Sequence, residues 1–197
     1  MHHTYRAVLY DINTILIKLL ITMHFEVKGK NMNEIMKLKE KLSMKRLASW
    51  ENLPDIELYK DQVLNYMQRQ HTLQSDEALL TGAMINNYIK SGLLPRAKGK
   101  KYSKDHLAYL TAICSLKQVL SVNETDFLLK QQPKIADTEQ FYLEYCHQME
   151  EALLQTADKL DDKLSKEHLA VTALQLAIAS YTQKIACEKI LDILKEL

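Results

Sequence analysis

Apolar residues along this chain recur three and four apart with few interruptions, so the pattern predicts helices almost throughout. Ile56, Tyr59, Val63, Tyr66 and Met67 mark the buried face of one helix. It follows Leu53-Pro54-Asp55, where the proline holds Leu53 extended and Asp55 is placed to cap what comes next. A polar connection over 70–80 leads to Thr81, the natural N-cap of a short helix whose apolar face is Met84, Ile85, Tyr88 and Ile89. Gly92 suits the left-handed residue that stops it, and Leu93-Leu94-Pro95 leads away extended. Arg96 to Tyr102 reads as a small two-stranded hairpin turning at Gly99. Ser103 then caps a helix carrying Leu107, Leu110, Ile113, Cys114, Leu116 and Leu120, with His106 where a complete capping box has Glu. A shorter helix begins near Glu124, and Gln131-Gln132-Pro133 reads as a linker.

The last third reads as a helical pair. Its first member opens at Asp137-Thr138-Glu139-Gln140 and carries Phe141, Tyr145, Met149, Leu153 and Leu160 along one stripe. Asp161 and Asp162 mark the bend, and Ser165 caps the second member. From Leu169 to Ala186 that helix is apolar on most of its circumference, which implies burial between neighbours or in a subunit interface.

At the other end, residues 33–50 are charged and helix-permissive, a mobile arm or a helix lying on the body. Val8 to Met23 is apolar-rich, but Asp11 and Lys18 interrupt it and it is too short to span a bilayer. With no small-residue cleavage site after it a signal peptide fits poorly, so residues 1–31 read as an accessory or wrongly included leader rather than a membrane anchor, with Met32 as an alternative start. The expected organisation is an arm over 1–50, a first domain over 51–130 and a helical domain over 135–197.

Composition agrees with a mainly α fold: four glycines and three prolines in 197 residues leave few turns. Cys114, Cys146 and Cys187 are odd in number and far apart, which reads as reduced thiols in a cytoplasmic protein. No phosphate-cradling glycine loop, G-x-S-x-G or H-E-x-x-H is present, and Cys146 and His147 diverge on a helix. The chain reads as a non-enzyme that needs no cofactor or metal.

Charge singles out one segment. The whole chain is +1, yet from Thr81 to His106 there are six basic residues (Lys90, Arg96, Lys98, Lys100, Lys101, Lys104) against Asp105 alone. A cap, a short helix, a glycine stop and a cationic turn in that order suit a DNA-reading element. The expected recognition helix is 82–90 and the basic wing 96–102. Asn86 and Asn87 lie near the helix start, where an amide can pair with adenine. The amides of Gly82 and Ala83 and the Tyr88 hydroxyl suit phosphate, as do Lys90, Arg96, Lys98, Lys100 and Lys101. Thr81 and Tyr102 complete the expected contact set, Tyr102 with an alternative role in packing the hairpin.

The segment 81–113 resembles the winged helix-turn-helix of MerR-type transcription regulators. In that group a small N-cap opens the recognition helix, and an aromatic follows in its second turn. Gly-Leu-Leu, a proline, a basic wing and a tyrosine come next. Thr81, Tyr88, Gly92-Leu93-Leu94, Pro95, Lys98-Gly99-Lys100-Lys101 and Tyr102 occupy those places here. The stretches Leu53 to Val63, Met84 to Lys90 and Lys101 to Leu107 are more similar still to an uncharacterised bacterial family, domain of unknown function 1836, over roughly residues 50–155. The MerR resemblance implies double-stranded DNA as the partner. It departs in three ways: Ala83 and Asn86 stand where arginines are usual, the wing is shorter, and the 70–80 connection is longer. Base preference therefore does not carry over. The expected function is transcriptional control by a homodimer joined through residues 138–197, with a small-molecule effector left open. The alternative is a protein-interaction module that keeps the winged-helix scaffold and uses its basic wing on an acidic partner.

Overall fold

The computed structural model describes residues 34–70, 80–132, 137–160 and 165–197. The expected leader at 1–31, nearly all of the 70–80 connection, Pro133 of the linker and the bend at Asp161-Asp162 lie outside them.

The described residues are mainly helical. A first helix, α1, covers 34–44. After a 3-10 turn at Trp50–Asn52 come β1 (Leu58–Tyr59), α2 (Lys60–Gln70), α3 (Gly82–Ser91), β2 (Lys101–Tyr102), α4 (Lys104–Leu116), α5 (Val122–Lys130), α6 (Thr138–Asp158) and α7 (Lys166–Glu196). Among the described residues no helix is long and apolar enough to cross a membrane.

α4 is the central element. Leu107, Ala108, Leu110, Ala112 and Ile113 are fully buried. Val63 and Met67 of α2 and Ile85 and Tyr88 of α3 share its core, and so does Phe141 of α6. Each buried Val, Leu, Ile, Met or Phe among them contributes roughly 1.5–3 kcal/mol of hydrophobic stabilisation. Because α6 packs along α4, the boundary expected at 130–135 runs through a single packed unit.

The start of α2 differs from the periodic reading. Ile56 and Tyr59 do not join the helical face; they are 71 % and 52 % exposed. The chain stays extended through Tyr59 because β1 pairs antiparallel with β2, Leu58 opposite Tyr102 and Tyr59 opposite Lys101. That register buries Leu58. The helix begins where the Gln62 side chain accepts the Tyr59 N–H at 2.8 Å. Asp55 is not the cap: it receives Lys104 Nζ at 2.8 Å.

Two further expectations change. His106 completes the capping box of α4, its Nδ1 accepting the Ser103 N–H at 3.1 Å. The end of the 33–50 arm is tied to the body: Tyr142 of α6 donates its hydroxyl to the Ala48 carbonyl at 2.8 Å, and Trp50 packs 6.0 Å from the Tyr142 ring.

Of the two settings expected for α7, burial between neighbours is not what the described residues show. Leu191 is buried and Lys195 lies over Phe127 of α5, but Val171, Leu174, Ile178, Tyr181 and Ile185 are exposed.

Candidate nucleic-acid interface

α3 has one buried side and one open side. Thr81 caps it, Oγ1 accepting the Met84 N–H at 3.2 Å. Ile85 and Tyr88 anchor the helix, while Ala83, Asn86, Asn87 and Lys90 are exposed. Positions 83, 86, 87 and 90 stand at i, i+3, i+4 and i+7, so they form one stripe along the helix. Gly92 closes α3 at φ 82°, the left-handed stop that glycine takes without a Cβ penalty. The Leu94 N–H returns to the Tyr88 carbonyl at 3.0 Å, turning the chain toward the basic segment.

That segment folds as a very tight hairpin. Lys98 bridges Lys101, whose N–H reaches the Lys98 carbonyl at 3.0 Å. The two residues between them, Gly99 (φ 57°) and Lys100 (φ 65°), both have positive φ, as a type I′ turn demands. Glycine takes this conformation freely, whereas a lysine there costs about 1–2 kcal/mol. The strand after the turn pairs with β1 rather than with 96–98 alone, so the turn is stitched to the start of α2. Lys98 and Lys100 are exposed and Lys101 is half-buried, its ammonium 5.6 Å from the Tyr59 ring centre.

Between the turn and the helices lies an open cleft of about 740 Å³, bordered by Tyr59, Lys60, Leu64, Ile89, Arg96 and Lys100 among others. Lys60 is a member that sequence reasoning missed. Its Nζ donates to Asn86 Oδ1 at 2.7 Å, across 26 residues of chain. A charge count confined to 81–106 could not include it, although its place at the first turn of α2, beside an expected recognition helix, was a usable signal.

Two expected members leave the surface, and one cation of the local charge count is committed elsewhere. Tyr88 is 2 % exposed, and its hydroxyl is shut from solvent without a hydrogen-bond partner, so it does not reach a phosphate. Burial pushes that phenol above its ordinary range. Tyr102 is 3 % exposed, packed edge-on against His106 at 5.5 Å, and holds the base of the wing. Lys104, counted in the local charge, is committed to Asp55 and lies 5.0 Å over the Trp50 ring. With Lys60 in its place the face carries Lys60, Lys90, Arg96, Lys98, Lys100 and Lys101. Thr81, Gly82, Ala83, Asn86 and Asn87 lie along the same helix start. A Cβ on Gly82 would meet Lys60 Cδ at an ordinary 3.4 Å, so α3 and α2 are already in contact there.

Such a surface offers amide donors and acceptors on a helix beside a cationic turn, the combination that suits base edges and phosphates. Elsewhere, burial pushes the Cys114 thiol up to about 12 and the Cys146 thiol up to about 11, which keeps both protonated at neutral pH. Among the described residues no three His, Cys, Asp or Glu side chains gather as metal ligands.

A family model described as Domain of unknown function (DUF1836) matches residues 48–150, just over half of the chain. The match begins where Ala48 and Trp50 meet α6 and runs through α3, the turn and α4. No curated protein and no solved structure matches the chain.

Proposed function

We propose that this chain, which belongs to the DUF1836 family, binds double-stranded DNA through a MerR-like winged helix-turn-helix and acts in transcriptional control as a homodimer. The observation that carries the proposal is the exposed Ala83-Asn86-Asn87-Lys90 stripe of α3, joined through Asn86 to Lys60, which borders one cleft with Arg96 and Lys100. Asn86 and Asn87 are the candidates for base contact, and the lysines for the phosphate backbone. Lys100 supports this assignment further. It holds a strained left-handed position that places a cation at the tip of the wing. α3 itself carries no arginine, so the proposal extends to contact with DNA and not to a target sequence.

The test is a gel-shift or anisotropy titration on mixed-sequence duplex at low salt. Binding that is lost with Lys100→Glu plus Lys101→Glu supports the proposal. Absence of binding by the unaltered chain, or binding untouched by that pair, removes it and favours use of the basic wing on an acidic protein.

A further inference from the structure

α7 carries a second surface, which DNA binding does not use. Val171, Leu174, Ile178, Tyr181 and Ile185 are spaced three, four, three and four residues apart, the repeat of a two-helix seam. All five are exposed, from 39 % at Ile185 to 66 % at Tyr181. The chain's own contacts lie away from that stripe: Leu191 is buried, and Leu169, Thr172, Leu176, Ala179 and Cys187 are half-buried. At 3.6 residues per turn these stand about 100–180° around the axis from Ile178. Among the described residues nothing covers the seam, and an ordered apolar stripe in water marks a contact surface.

We propose that this seam pairs with α7 of a second copy, antiparallel, about a two-fold axis at Ile178. The spacing is symmetric enough to be self-complementary. Turned end for end, Val171 meets the partner's Ile185 and Ile178 meets the partner's Ile178, while Leu174 comes level with the partner's Thr182, one residue from the partner's Tyr181. Every contact away from the axis is then made twice, as an isologous interface requires.

Charge selects the direction. Antiparallel pairing sets Glu167, near the start of α7, opposite the partner's Lys189, near its end. Glu188 is the next seam position after Ile185. A parallel pair would set Glu188 against its own copy, which like charges oppose. From Glu167 to Lys189 the paired length is about 33 Å at 1.5 Å per residue. This deepens the homodimer included in the proposed function by naming its interface, and it stands or falls independently of DNA binding.

The test is sedimentation equilibrium of the full chain, unaltered and as Leu174→Glu plus Ile178→Glu, with circular dichroism to follow helix content. The expected result is a dimer at micromolar concentration whose self-association weakens at least tenfold in the variant. Direction is read by disulfide cross-linking in a Cys146→Ser, Cys187→Ser background, where the substitutions are small. Val171→Cys and Ile185→Cys chains are expected to cross-link when mixed and not when oxidised separately. A monomer at all concentrations, a dimer indifferent to the glutamates, or cross-linking of Val171→Cys with itself overturns the proposal. Loss of DNA binding with the dimer intact leaves it standing.

Discussion

Lys60 at the start of α2 holds Asn86 on the open face of α3, Nζ to Oδ1 at 2.7 Å. The contact joins a half-buried cation from one helix to an exposed amide on the next. Asn86 is thus oriented before any ligand arrives, with its amide NH₂ directed away from the lysine. Lys60→Met keeps the stem that packs near Gly82 and removes the charge. The expected result is weaker DNA binding with a salt slope smaller by about 1, and a folding stability within about 0.5 kcal/mol of the unaltered chain. Anisotropy titrations and denaturant melts read the two separately.

The wing turn separates stability from binding with opposite signs. Lys100 sits at φ 65°, so Lys100→Gly relieves left-handed strain and is expected to stabilise the fold by about 0.5–1 kcal/mol after glycine's own entropy is counted. The same change removes a cation from the tip and is expected to weaken DNA binding. Gly99→Val, at φ 57°, is expected to destabilise by about 1–2 kcal/mol. Urea midpoints check both.

His106 gives the fold a pH dependence. Burial lowers its pKa below the ordinary 6.5 and outweighs Asp105, the Pro95 and Arg96 backbone and Glu57, which pull the other way. Its neutral Nδ1 accepts the Ser103 N–H, and protonation would remove that acceptor. Because the folded-state pKa is depressed, the unfolded chain takes up the proton first. The contribution is fully present above pH 6.5 and is lost as pH falls through the folded-state value. The urea midpoint is expected to drop between pH 8 and pH 5, and His106→Gln is expected to flatten the part of that drop lying below pH 6.5.

Tyr142 ties α6 to the segment before α2 through the Ala48 carbonyl. Tyr142→Phe is expected to cost about 1–2 kcal/mol, since a backbone acceptor loses its partner. Thermal melting would register it, and DNA affinity at a fixed temperature well below the transition should not change.

Much of this molecule was legible from local signals. Thr81, Gly92 and Ser165 mark helix boundaries because a cap or a left-handed stop is a property of one or two residues. Non-local pairings were not legible. Ile56 and Tyr59 match a helical period, yet pairing of Leu58 with Tyr102, over forty residues away, keeps them extended. Lys60 joined the surface, and Lys104 left it for Asp55 and Trp50, for the same reason: a charge count sees sign and position, not which partner the fold supplies. Tyr88 and Tyr102 illustrate the ambiguity of an amphipathic ring, whose spacing suits core and ligand alike until its hydroxyl is located.

DNA contact by the α3 and wing face is tested most directly by the salt dependence of binding to a mixed-sequence duplex. With Lys60, Lys90, Arg96, Lys98, Lys100 and Lys101 each meeting a phosphate, the plot of log K against log salt is expected to fall with a slope of about −5 per subunit. The slope should become shallower by about 2 in Lys100→Glu plus Lys101→Glu if any binding survives. No binding at low salt, or a slope near zero that the double variant does not alter, would contradict it.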